Sequence, residues 1–330
     1  MSETYEPLET AEHKEIKTPK KVEFTVALAS HGTKEDADFL SRHIENADIV
    51  FLEMAGWDKR HSKIFNQVSS GTLEPDRALQ QLGFQDGKHD YFAYIKRVTE
   101  ILYRSKKVIS SLDIPAQMTH ELYQSMYEIV RAEYKNEGSF ESLLQDFQKA
   151  LVKFQELQEK RESFMVDKIP SELEKAESIN PALAIKDKIN ALIQIGADHF
   201  GLAKKMENLG LEVSSNFLNN PHYYNFIKEF QLRREHGINI DQEDLAKFWL
   251  GQRIIHLDFP TSDMQKVVKF VRVALQNFSY EEIKGIHEGI KRKHKFKSNL
   301  FRHLEQKGFK FPKTEEQLDQ YINNYGTSGK

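Results

Sequence analysis

The sequence predicts an α+β fold of α/β-like character: two βαβ-type units in a mixed central sheet, a large helical insertion, and a helical C-terminal appendage. Three observations predict it. Apolar runs of strand length stand at residues 22–30, 48–53, 107–113 and 188–195. Apolar residues at helical spacing fill most of the remaining chain. Twice, a histidine (His31, then His199) falls just past an apolar strand and just before a helix.

Residues 1–20 read as a flexible polar leader ending at Thr18-Pro19, where the backbone is biased away from helix. Residues 22–30 (VEFTVALAS) suit a strand buried on both faces. His31-Gly32-Thr33 is a turn, and Thr33 with Asp36 resembles a capping box opening a helix whose inner face is Ala37, Leu40, Ile44 and Ala47. Residues 48–53 (DIVFLE) return as a strand, which completes a parallel, right-handed βαβ unit. A helix over 90–105 leads to a third strand, 107–113 (KVISSLD), stopped by Pro115.

The insertion, about 117–170, holds an amphipathic helix over 119–134 and a second carrying Leu143, Phe147, Leu151, Phe154 and Leu157. Pro170 is expected to end that second helix near Ile169, since proline lacks the N–H and crowds the preceding turn. Residues 188–195 (KINALIQI), the Gly196–His199 turn, a helix over 202–209 and Gly210 as its left-handed cap form the second unit. The sheet-bearing domain is placed at 21–215 and the helical subdomain at 216–330. Thr314 and Gln317 form a capping box for the last helix.

Composition narrows the function. A net charge of −3 and a mean hydropathy of −0.62 describe a folded, polar-surfaced protein and argue against wholesale binding to nucleic acid. The basic segment 284–310 reads as a solvated helical face, because Ile283, Ile286 and Ile290 form a core-facing stripe opposite its charges. The absence of cysteine removes disulfides, thiolate metal sites and cysteine nucleophiles. No run reaches the roughly 18 apolar residues of a membrane span, and the N-terminus has no apolar signal core. A cytoplasmic protein acting on a small molecule or peptide is the resulting expectation.

Parallel strands gather ligands at their carboxyl edge, and His31, Glu53, Asp113 and His199 all fall there on these assignments. Two imidazoles with one or two carboxylates could hold a divalent ion (zinc, manganese or iron) and activate its bound water. Alternatively, one histidine could act directly as a general base.

These residues resemble a known group. ALASHGTKEDADFLSRHIENADIVFLE (27–53), SSLDIPA (110–116), RESFMVDKI (161–169) and QIGADHFGLAKKMENLGLEV (194–213) are similar, in order, to motifs of the TraB/PrgY/GumN/Tiki superfamily, related more distantly to erythromycin esterase and ChaN-like proteins. The resemblance implies a hydrolase of peptides or esters, with His31, Glu53 and His199 as metal-binding or catalytic residues. It adds Arg161 as a cation facing substrate, and Asp113 as a further member. Leu28 is a departure, since metal-dependent members carry glycine three residues before the first histidine; Gly196 keeps that relation to His199. The departure motivates a second expectation: a non-catalytic regulatory module on the same fold that binds a ligand or peptide.

Overall fold

The computed structural model describes residues 21–29, 34–84, 92–134, 138–196, 199, 201–217, 226–261, 263–276, 278–293 and 296–325. The expected leader, the His31–Thr33 turn and its Thr33 cap lie outside the described residues.

Five strands form one sheet: β1 (Lys21–Ala29), β2 (Ile49–Leu52), β3 (Val108–Ser110), β4 (Lys188–Gly196) and β5 (Glu212–Phe217), in the order β3-β2-β4-β1-β5. The α+β class holds, but every described pairing is parallel, so the sheet is not the mixed one expected. Each strand-to-strand connection contains helix, and this leaves no hairpin to bring in an antiparallel neighbour.

Both predicted units exist, and they interleave. β1 leads through α1 (Lys34–His43) to β2, stepping over the place that β4 fills. Between β2 and β3 lie α2 (Lys59–Ser70), α3 (Pro75–Gln81) and α4 (Phe92–Leu102). β4 leads through α7 (Gly201–Asn208) to β5, stepping over β1 in the other direction. Same-handed crossovers running in opposite directions place their helices on opposite faces. Accordingly Ala37 and Leu40 of α1 pack with Ala27, Val50, Leu52 and Leu192, whereas Leu202 and Met206 of α7 pack with Phe24, Leu28, Phe51 and Ile193. The first strand is covered on both faces only from Val26 onward; Glu23 and Thr25 are half-buried beside a cleft.

α5 (Ala116–Glu133) precedes α6 (Phe140–Ile179), a helix of 40 residues. The expected stop at Pro170 is therefore corrected: Pro170 lies inside the helix. Proline removes one backbone bond there, but Ile169 just before it and Leu173 and Ala176 beyond it are buried against the sheet. Each such burial is worth about 1–3 kcal/mol, enough together to carry the helix through.

The remaining helices are α8 (Phe226–Glu235), α9 (Gln242–Ile255), α10 (Met264–Leu275), α11 (Tyr280–Lys293), α12 (Phe296–Gln306) and α13 (Glu315–Tyr325). They share one core with α5 and the first half of α6, around Phe140, Phe147, Trp249 and Phe270. The insertion and the C-terminal helices thus form one helical body. Thr314 Oγ1 accepts from Gln317 N at 3.3 Å, while Gln317 Oε1 accepts from Lys313 N, one residue earlier than a standard capping box. Ile283 and Ile286 are buried as expected, and Lys284 reaches across to Glu141. The side chains of Ile290, Lys291, Arg292 and Lys295 lie outside the described residues. Among the described residues, no helix is long and apolar enough to cross a membrane.

Candidate functional site

The crossovers run in opposite directions from β1 and β4, and beyond the carboxyl ends of these strands lies the place where parallel sheets gather ligands. Polar side chains concentrate there. Glu53 follows β2 directly, and its N–H continues the ladder to Gln194 O at 3.0 Å. Its side chain turns across the end of β4, where Glu53 Oε2 accepts from Gly196 N. Asp113 leaves β3 through a fully buried turn, its Oδ1 accepting from Ile114 N at 2.7 Å.

Arg161 enters from α6 and joins the two acids. Its Nε and Nη2 donate to Asp113 Oδ1 and Oδ2 at 2.7 and 2.6 Å, a bidentate pair. Nη2 also donates to Glu53 Oε1 at 2.7 Å. Its side chain is 8% exposed, so it faces these acids instead of open space. Burial opposes its charge, but Glu53 and Asp113 outweigh that and hold the guanidinium charged. Lys168, two turns on, ties the same β3 exit to α6 through Ser111 O at 2.8 Å.

His199 completes the arrangement and is fully buried. Its Nε2 lies 3.3 Å from Glu53 Oε1 and its Nδ1 3.8 Å from Glu162 Oε1, neither contact being aligned as a hydrogen bond. Burial alone would lower its pKa; the two carboxylates overcome this and push it up to about 9. At neutral pH His199 is therefore an imidazolium, a proton donor and not a base. Glu162 also pairs with Lys205 Nζ at 2.9 Å. With His199 protonated, Glu53, Asp113 and Glu162 balance Arg161, His199 and Lys205.

Of the residues expected at the site, Glu53, Asp113, Arg161 and His199 do meet; His31 lies outside the described residues. Glu162 and Lys205 were missed. A signal for Glu162 existed: the core stripe of α6 keeps its spacing through Phe154, Gln158, Glu162 and Met165 but turns polar in the middle. Gly201 is tied to Glu162 as well, since a Cβ there would stand 2.7 Å from Glu162 Oε2. Glycine lets the first turn of α7 approach the carboxylate, where the helix dipole favours it.

The fit to a metal ion is poor. His199 Nε2 and Glu53 Oε1 are spaced as neighbouring ligands could be, but Arg161 already donates to that same oxygen and Gly196 N to the other. Among the described residues, no three His, Asp or Glu side chains form a ligand set. No family model, curated protein or solved structure matches the chain.

Proposed function

We propose that the chain is a hydrolase of the TraB/Tiki-like type, acting on a peptide or ester with acid–base chemistry centred on His199. The observation that carries this is the meeting of His199, Glu53, Arg161 and Asp113, all buried or nearly so, at the carboxyl edge of a parallel sheet where its crossovers change direction. Water would attack the carbonyl carbon and lose its proton to a base, a part we give to His31, one of the three residues for which the resemblance implies a metal-binding or catalytic role. The carbonyl electron pair would pass to oxygen, opposite the positive charge of His199. As the oxyanion re-forms the carbonyl and the C–O or C–N bond breaks, imidazolium His199 would donate its proton to the leaving group, and the proton taken by His31 would pass through solvent back to His199. Arg161 is a positioning residue here, fixing Glu53 against His199.

A panel of p-nitrophenyl esters and fluorogenic peptides, assayed from pH 5 to 10, tests this reading. Turnover is expected to fall as the pH rises through 9, and to drop at least about 100-fold in His199→Asn, as removal of a general acid does. Extensive dialysis against a chelator is expected to leave the rate unchanged; a loss restored by zinc or manganese would reinstate metal-activated water.

The full burial of His199 favours a second reading, a ligand-binding regulatory module in which the charged cluster only holds the sheet edge together. Absence of turnover on both panels, with His199→Asn changing stability alone, decides for that reading.

A further inference from the structure

A second buried arginine lies in the helical body, far along the chain from the first. Arg253 of α9 is 7% exposed and, among the described residues, has no carboxylate within ion-pair distance, although the buried carboxyl of Glu133 is near enough to act on its charge. Three rings surround its guanidinium carbon: Phe296 at 4.4 Å, Tyr134 at 4.6 Å and Trp249 at 5.5 Å to the ring centres. Its Nη1 reaches the backbone oxygen of Glu133 at 3.4 Å, and its buried Nε has no hydrogen-bond partner. Rings over a guanidinium engage its charge without using its N–H donors, and of these, among the described residues, Nη1 alone makes a hydrogen bond, an arrangement that suits a planar carboxylate.

Arg253 lines a pocket of about 530 Å³ together with Tyr134, His256, Leu257, Phe296, Lys297 and Ser298. The first turn of α12 forms one wall, and its dipole adds positive potential. Lys297 at the wall already pairs with Asp258 at 2.8 Å, which leaves Arg253 as the cation with unused donors. Tyr134, Leu257 and Phe296 supply the apolar surface.

We propose that this pocket binds a small organic carboxylate with an apolar body, the carboxylate meeting Arg253 and the body packing on Tyr134, Leu257 and Phe296. The volume suits one ring system or a short acyl chain. Nothing in the sheet-edge cluster is required for it, so it stands or falls independently of the hydrolase reading.

Isothermal titration calorimetry of the full chain with 2-naphthoate tests it, with 2-naphthylmethanol and inorganic phosphate as controls. Naphthoate is expected to bind at one site, and the neutral alcohol at least about tenfold more weakly, because a charge-assisted hydrogen bond is lost. Arg253→Met should weaken naphthoate by a similar factor. Leu257→Trp, which fills the pocket and leaves the arginine in place, should abolish binding and covers the case of an unfolded Arg253→Met. Equal binding of the alcohol, undiminished binding to Leu257→Trp, or phosphate binding as tightly as naphthoate would each overturn the proposal.

Discussion

Arg161 and Arg253 are equally buried, at 7% exposure each, yet the protein accommodates them in opposite ways. Arg161 sits at a sheet edge among acids, and its donors go to Asp113, Glu53 and Gln158. Arg253 sits in a helical body among aromatic rings, without an ion pair among the described residues. The neighbouring acids hold Arg161 firmly charged, whereas burial lowers the pKa of Arg253. The pair separates two meanings of a buried charge. One is bound into its fold by what it neutralises; the other is tolerated by rings and keeps donors in reserve.

If that contrast is right, removing the two charges has unequal consequences. Arg161→Met leaves Glu53 and Asp113 buried without their cation and is expected to destabilise by about 3–5 kcal/mol, the usual result of breaking a buried pair. Chemical denaturation measures this directly, and a loss below about 1 kcal/mol would mean that the acids are neutralised some other way.

The next effect concerns His199. Its folded pKa, about 9, lies above the ordinary 6.5, so its contribution is fully present below pH 6.5 and is lost as the pH rises through 9. The stability gap between wild type and His199→Gln should therefore be of order 2–3 kcal/mol at pH 6 and shrink by pH 10. A gap independent of pH would remove the imidazolium from the account.

Glu133, beside Arg253, also loses stability as the pH rises, but removing its charge has the opposite effect. Burial raises its carboxyl from 4.5 to about 7, so the folded state prefers it neutral, and stability is lost as the pH rises from 4.5 through 7. Glu133→Gln should be more stable than wild type at pH 8, by about 1–3 kcal/mol, and nearly equal to it at pH 4. Thermal unfolding at the two pH values tests the sign. Smallest is Arg253→Met, whose apolar side chain can still pack on Tyr134 and Phe296; a change within about 1 kcal/mol is expected, against the much larger loss for Arg161→Met.

The sheet-edge half was far more legible than the helical half, for physical reasons. Strands such as residues 188–196 are apolar on both faces and short, so they stand out in composition, and each carries its functional residue at its end. Glu53, Asp113 and His199 were found in that way. Arg161 was not: a lone arginine in a helix is ordinarily exposed, and it was picked out by resemblance to family motifs. The all-parallel pairing was hidden because strand direction depends on connections across the whole chain. Pro170 misled because local backbone preference gave way to the packing of Ile169 and Leu173 on the sheet. Arg253 went unnoticed within α9, although Leu245–Ile255 is buried almost all round and a Gln252-Arg253 pair inside such a helix is itself unusual.

The interleaving of the strands has a consequence for how the protein is made. β1 and β2 flank β4 and do not touch each other; Lys21 meets Lys188, and Ile49 meets Ala191. A nascent chain therefore emerges from the ribosome with its first two strands unable to join until β4 has been synthesised between them. The helical segments in between can fold locally during that interval and β2 can pair with β3, but β1 can join them only once β4 is made. Such long-range closure is slow and leaves apolar strand edges exposed meanwhile. The second half of α6, synthesised before β4, already presents Met165, Ile169 and Leu173, the apolar face on which the strands pack.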